Sequence, residues 1–275
     1  METNAACPFC MTPLASLTDT TEFAQCPQDK AIIHLNHQVA HYEENYFNSE
    51  YKIQYGKSYL DDRENLHRKN RERIDRALKY FSALTHPRLC EVGASAGFFL
   101  EVMRDHGFEC EGWEISSLMT EHAKQSGLRM KNQDFFAGVA AHRLNHESPF
   151  DILAFFYVLE HFADQKYAWE CIRDLLRPGG ALLLALPSTY GPTFYFNRPH
   201  WIQTHPKDHA IDYSPRALTI IGNKFGFKPL AFFSEGIHPS RFPLGGFPIL
   251  KSFYALIQKK TSFSDTFFAI MKKDS

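Results

Sequence analysis

The sequence predicts an α/β protein in which a doubly wound, mostly parallel sheet carries helices on both faces. Three observations point there. From Pro87 onward, short apolar runs of strand length alternate with segments of helical period, as strand–helix–strand units require. The stretch Leu89-Cys-Glu-Val-Gly-Ala-Ser-Ala-Gly-Phe-Phe-Leu100 reads as a buried strand, a small-residue turn and the first turn of a helix. At 275 residues, 44% hydrophobic and 22% charged, the chain suffices for one large domain and a small appendage.

In chain order, residues 1–40 are polar, hold three of the six cysteines and show no helical period. Cys7-Pro-Phe-Cys10 followed by Cys26-Pro-Gln-Asp29 has the spacing of a four-ligand zinc ribbon whose last cysteine has become Asp, so Cys7, Cys10, Cys26 and Asp29 are candidate ligands of a structural zinc. His34 or His37 is the alternative fourth ligand. Cys90, Cys110 and Cys171 sit in apolar strand or helix patterns and read as core thiols. Residues 41–85 form an aromatic loop, Tyr42 to Tyr59, and then an amphipathic helix with Ile74, Leu78, Phe81 and Leu84 at helical spacing.

Residues 86–275 form the main domain. Strands are expected at RLCEVG, FECEGWE, LRMKNQD, DILAFFYVL and GALLLALP, and two final ones at KPLAFFSE and DTFFAIMKK. Helices are expected up to about His106, over SSLMTEHAKQSG and through AWECIRDLL; the turn Arg177-Pro-Gly-Gly180 marks the last helix-to-strand step. Another helix follows Ser214 as N-cap and Pro215, and stops before Gly226. Between them, residues 187–215 read as a long aromatic and histidine-rich loop over an acceptor pocket, with Tyr190, Phe194, Tyr195, His200, Trp201, His205 and His209 as lining candidates.

The glycine turn narrows the ligand. A phosphate-binding loop ends in Gly-Lys-Ser/Thr, whereas Gly97 is followed by two phenylalanines, which excludes ATP or GTP there. A dinucleotide turn needs a middle glycine that Gly93-Ala94-Ser95-Ala96-Gly97 lacks. Glu91, in the strand before the turn, would repel a pyrophosphate and suit a ligand bearing an ammonium group. Glu114, at the end of the next strand, suits ribose hydroxyls. Asp134 suits an adenine amino group, with Phe135 over the ring.

Taken together, LCEVGASAGFFL, WEIS, NQDFF, FDILAFFYVLEHFAD and LRPGGALLLALPS resemble class I S-adenosylmethionine-dependent methyltransferases, over about residues 85–235. The small-molecule branch that includes ubiquinone-biosynthesis O-methyltransferases is the nearest in kind. The resemblance implies a Rossmann-like, seven-stranded mixed sheet and S-adenosylmethionine as cofactor. Its site would comprise Glu91 at the amino group, Gly93, Ala94, Ser95, Ala96 and Gly97 around the methionine moiety, Glu114 at the ribose, Asp134 with Phe135 at the adenine, and Ile115 and Tyr157 as further cofactor contacts. Ser95 departs from a frequent third glycine of that turn. Tyr157, Glu160 and His161 follow the fourth strand; His161 is the candidate general base and His209 a second. The ubiquinone-pathway relatives hold a metal with two glutamates and a histidine here, but Tyr157 replaces the first glutamate, so no catalytic metal is expected. Some relatives also carry an amino-terminal ribbon.

The expected partner is a small, partly apolar methyl acceptor. A net charge of −1 speaks against nucleic acid, and no apolar run approaches a membrane span, so neither nucleic acid nor membrane is expected as partner. The first ten residues lack a signal-peptide pattern, which reads as cytoplasmic. A 15% aromatic content with 25 Phe fits a Phe-rich core or a lipid-like partner. Rival readings are a non-catalytic nucleoside-binding module, a protein methyltransferase and, against Glu91 and the absent glycine, an NAD-dependent oxidoreductase.

Overall fold

The computed structural model describes residues 2–38, 51–52, 56–81, 86–236, 241–243 and 247–275. The aromatic stretch from Tyr42 to Phe47, Tyr55 and Leu84 lie outside the described residues. Contacts group the chain into two compact units. One comprises Met1–Val39, Phe156–Arg173 and Leu183–Ser275, and the other Ala40–Phe155 and Asp174–Leu182. The amino-terminal segment thus groups with the carboxyl-terminal half of the chain.

The main sheet has seven strands in the order β11-β12-β9-β8-β5-β6-β7. They are β5 (Arg88–Val92), β6 (Glu109–Glu114), β7 (Arg129–Asn132), β8 (Phe150–Phe156), β9 (Leu176–Pro187), β11 (Phe227–Glu235) and β12 (Thr266–Lys273). β5 pairs in parallel with β6 and β8, and β6 with β7, whereas β11 and β12 are antiparallel, so the sheet is mixed as expected. Sequence order reverses at β5, where β6 leaves on one side and β8 lies on the other. In such sheets ligands gather at the carboxyl ends of the strands beside that reversal.

Helix limits follow from local chemistry. α1 (Arg63–Ala77) buries Ile74, and its period continues to Phe81. α2 (Phe98–Asp105) begins at Gly97 and buries Phe98 through Met103. α3 (Ser117–Gln125), α4 (Phe135–Leu144) and α8 (Pro215–Lys224) open on Ser116, Asp134 and Ser214, whose side chains accept from the amides of Met119, Ala137 and Ala217. α5 (Gln165–Leu175) runs directly into β9; the expected Arg177–Gly180 turn lies inside that strand, with a left-handed step at Gly179 (φ 71°). The Arg177 side chain pairs with Asp151, which holds this entry to the sheet.

Two further expectations are corrected. The segment after β9 is not a plain loop: it folds into α6 (Pro192–Phe196) and α7 (Arg198–Thr204), each with Pro in its first turn, and then β10 (Ile211–Asp212). A helix absent from the sequence reading, α9 (Pro248–Lys260), separates β11 from β12. The amino-terminal strands β1 (Glu2–Ala6), β2 (Pro13–Ser16), β3 (Phe23–Gln25) and β4 (Ile32–His34) form a second sheet that β10 completes, with Ile211 opposite Ile33. No helix among the described residues is long and apolar enough to cross a membrane.

Candidate functional site

The glycine turn belongs to the unit containing β5 and β6. Its backbone takes left-handed conformations at Gly93 (φ 69°), Ser95 (φ 48°) and Gly97 (φ 76°). Glycine adopts these without penalty, and Ser95 bears the strain that a third glycine would remove. The turn is closed from within. The carbonyl of Trp113 accepts from the amides of Gly93 (2.8 Å) and Ala94 (3.2 Å), and that of Ala94 accepts from Gly97 (2.8 Å). Glu114 Oε2 accepts from the Ser95 amide (2.7 Å) and Oε1 from the Ser116 amide (2.8 Å). The expectation that amides 94–97 all face a ligand therefore narrows to the Ala96 N–H, which has no acceptor among the described residues.

Glu114 thus ties the turn to the start of α3, and its oxygens keep lone pairs for two hydroxyl donors. Burial raises its pKa against the three backbone amides that favour its charge. Glu91 is also buried, and its Oε2 has no hydrogen-bond partner. Burial drives its carboxyl well above the usual range, opposed by Arg73 and reinforced by Glu114. Such a carboxyl gains most from a cationic ligand, because an ammonium group supplies the missing partner and charge. Ile115 is exposed beside Glu114. Asp134 is exposed and caps α4, while Phe135 is buried edge-on against Phe155 (5.3 Å). Tyr59, from the aromatic segment, stacks on Phe98 (5.5 Å, 6°) and packs with Ala96 and Met119.

In the other unit, the chain leaving β8 places Tyr157, Glu160 and His161. Tyr157 adopts φ 59°, a costly conformation for a large side chain, and its hydroxyl donates to Glu235 (3.0 Å). Glu160 and His161 sit in a single 3₁₀ turn, Leu159–His161. His161 Nδ1 lies 3.2 Å from Asp208 Oδ2, and its ring meets that of His209 edge-on at 4.7 Å. Burial works to lower the His161 pKa, but the Asp208 hydrogen bond and the Glu160 charge outweigh it and hold the imidazole above its ordinary value. Neither carboxylate oxygen of buried Glu160 has a hydrogen-bond partner. Burial raises its pKa, opposed by His161 and His209. His205 Nε2 pairs with Asp212 Oδ2 (2.7 Å). Glu160, His161 and His209 bring ligand atoms within 4.8 Å of one another, as do His205, His209 and Asp212. His209 supplies the third donor that the sequence reading did not place beside Glu160.

Most of the expected acceptor-pocket residues have other partners. Phe194 and Trp201 pack with Phe23 and Ile32 of the amino-terminal sheet, and His205 meets Phe23 edge-on (4.7 Å). Tyr195 and His200 are exposed. The cysteine knuckles converge: Cys7 Sγ lies 3.1 Å from Asp29 Oδ2, Cys10 Sγ 3.5 Å from Cys26 Sγ, and all four ligand atoms fall within 4.8 Å. Two thiolates tetrahedrally bound to one zinc stand about 3.7 Å apart, so the cluster fits that ion. Asp29 also pairs with Lys224, whereas His34 stacks on Phe23 (4.7 Å), away from the sulfurs.

The methyltransferase domain family matches residues 63–231, more than half of the chain. The chain belongs to the class I S-adenosylmethionine-dependent methyltransferases. Among its relatives, a ubiquinone biosynthesis O-methyltransferase of Alkalilimnicola ehrlichii is 26% identical over 44% of the chain and 49% of its own length. A tRNA 5-carboxymethoxyuridine methyltransferase of Escherichia coli is 29% identical over 38% and 41%. The chain spans about half the length of the curated relatives it matches. Its fold is shared with a SAM-dependent methyltransferase from Archaeoglobus fulgidus (TM-score 0.56, 15% identity, 82% of this chain and 100% of that one). It is shared also with magnesium protoporphyrin IX methyltransferase from Synechocystis with bound SAH (TM-score 0.55, 13% identity, 84% and 97%).

Residues the sequence reading missed brace the turn that carries Glu160 and His161. Tyr213 Oη accepts from Trp169 Nε1 (3.1 Å) and donates to Gln165 Oε1 (2.7 Å). Gln165 Nε2 in turn donates to the carbonyls of Leu159 (2.7 Å) and Phe162 (2.8 Å), at either end of the Glu160–His161 turn. Asp208, which orients His161, stands one residue before His209.

Proposed function

We propose that this protein methylates a hydroxyl or carbon of a small, partly apolar acceptor, using S-adenosylmethionine, with His161 as general base. The observation that supports the base is the hold on His161: Asp208 Oδ2 lies 3.2 Å from Nδ1, and Glu160 stands beside it in the same turn, an arrangement that orients the imidazole and favours its protonated form. When bound, S-adenosylmethionine supplies an activated methyl carbon on a sulfonium. The chain's part is to fix that group and to take a proton. Glu91 would bind the amino group, Glu114 the ribose and the Ala96 amide the methionine end, with Gly93, Ala94, Ser95 and Gly97 shaping the turn. Asp134 and Phe135 belong to the adenine end in this reading, Ile115 is a further cofactor contact beside Glu114, and Tyr157, with Glu160, borders the acceptor. An acceptor hydroxyl gives its proton to the His161 ring, while Asp208 and Glu160 stabilise the imidazolium that forms.

The test is S-adenosylhomocysteine formation with a panel of hydroxylated aromatic acceptors, comparing wild type with His161→Ala. A base role predicts a loss of about 10²- to 10⁴-fold in kcat with cofactor binding intact. Because only neutral imidazole accepts a proton, the wild-type rate should rise with pH through the raised His161 value. Unchanged turnover in the variant removes His161 as base. A second reading puts a divalent cation on Glu160, His161 and His209, favoured by the two unpartnered Glu160 oxygens. Loss of activity on chelation, restored by one metal, would select it.

The amino-terminal cluster is proposed as a structural zinc site, with Cys7, Cys10, Cys26 and Asp29 as ligands. A closed four-ligand set stabilises the fold and leaves no position for a substrate.

A further inference from the structure

Helix α9 carries an apolar stripe on its outer side. Ile249 is 85% exposed, Phe253 55% and Leu256 50%, although each is a residue that folding normally covers. Their spacing of four and three residues sets them within about 60° of arc, one above the other. The opposite side of the helix is anchored. Gln258 is buried there, Tyr254 stacks on Phe242 (4.2 Å, 14°), and the Tyr254 hydroxyl donates to the Pro243 carbonyl (3.0 Å). The stripe is therefore the outer face of a seated helix. Phe242 also contacts Phe196 (6.0 Å), and Phe196, Tyr195 and the α9 N-cap Phe247 are exposed as well. The apolar surface thus extends past the helix itself.

Charge distinguishes the partners such a face would suit. Residues 241–264 contain Arg241, Lys251, Lys259 and Lys260 and no Asp or Glu, in a chain whose net charge is −1. Arg241 is paired with Asp265, whereas Lys259 and Lys260, at the carboxyl end of the stripe, have no carboxylate partner among the described residues. Long lysine stems lie along apolar surface and keep their ammonium groups at a polar boundary. On the helix alone, the stripe from Ile249 to Leu256 runs about 10 Å along the axis and is about as wide, well under the roughly 800 Å² per partner that a stable protein dimer buries. A bilayer imposes no such minimum, because side chains insert singly while cations meet lipid phosphates.

We propose that α9 docks this protein onto an anionic lipid surface, inserting Ile249, Phe253 and Leu256 while Lys259 and Lys260 engage headgroup phosphates. The helix lies along the interface rather than crossing it. This revises the expectation of no membrane partner, and it stands independently of the methyl acceptor's identity.

Flotation of the full-length protein with vesicles tests it, using phosphatidylcholine alone and phosphatidylcholine with about one-third phosphatidylglycerol. Wild type should float with the anionic vesicles at low salt and release at high salt. Phe253→Asp and Ile249→Asp should each weaken flotation at least about tenfold, with circular dichroism and melting unchanged because both side chains face solvent. Lys259→Glu with Lys260→Glu should abolish the preference for anionic lipid. Absence of wild-type flotation at every composition overturns the proposal. So does a wild-type dimer that Phe253→Asp converts to monomer without any vesicle binding, which would assign the stripe to a second copy of the chain.

Discussion

Gly97 and Gly107 form a matched pair for asking what closes the glycine turn. Both adopt left-handed backbone, φ 76° and 85°. A Cβ on Gly107 would meet nothing within 4 Å, whereas one on Gly97 would fall 2.3 Å from Leu128 Cδ1 and 3.3 Å from Ala123 Cβ. Gly107→Ala should therefore cost only the conformational penalty, about 1 kcal/mol. Gly97→Ala adds overpacking, for a total of about 2–5 kcal/mol. At about 2–4 °C per kcal/mol for a chain approaching this size, the two melting temperatures should fall by about 2–4 °C and about 4–20 °C. Scanning fluorimetry reads both, and Gly97→Ala with Leu128→Ala should be less destabilised than the sum of the singles by roughly 1 kcal/mol or more. Equal shifts for the two glycines would refute the claim that close packing against Leu128, beyond backbone conformation, makes Gly97 necessary.

Glu91→Gln should raise the melting temperature of ligand-free protein more at about pH 8 than at about pH 4.5. The folded-state pKa lies above the unfolded value near 4.3, so wild-type stability is lost as pH rises through the folded value, and glutamine removes that loss. The same variant should show a smaller thermal shift with S-adenosylhomocysteine; a shift equal to wild type would detach Glu91 from the ligand. Tyr213→Phe should cost about 1–3 kcal/mol in denaturant unfolding by stripping partners from buried Trp169 and Gln165, and unaltered stability would show that the network is not needed. Purified protein should hold about one zinc per chain by elemental analysis, lost in Cys26→Ser. A metal-free protein whose melting ignores chelators would end the zinc proposal.

The sequence revealed those parts of the fold that rest on local signals. Ser214 and Pro215 announced α8, and the run from Leu89 to Leu100 announced a strand, turn and helix at their observed places. α9 went unread because its apolar residues do not mark the side it buries: Ile249, Phe253 and Leu256 lie outward while the polar Gln258 is buried. The aromatic segment after β9 looked like a loop because Pro192, Pro199 and Pro206 punctuate it, although two of these sit where helices accept proline. β10 is two residues long and leaves no periodicity at all. In the candidate site, Glu91, Glu114 and His161 were legible from position relative to strands. The His205, His209 and Asp212 grouping had a signal in its four- and three-residue spacing, but its meeting with Glu160 is tertiary.

The pairing of β4 with β10 links Ile33 to Ile211, 211 − 33 = 178 positions apart. A nascent chain emerging amino terminus first therefore exposes the first four strands long before their fifth exists. The Cys7–Asp29 knuckles, by contrast, close within 22 positions and require nothing made later. The amino-terminal sheet must wait with Ile32 to His34 as an open edge until the segment after His209 is synthesised, an interval in which unpaired strand is prone to association. A metal-fixed start and a late-arriving last strand would make the order of synthesis, and not only the final stability, a determinant of yield when this protein is produced.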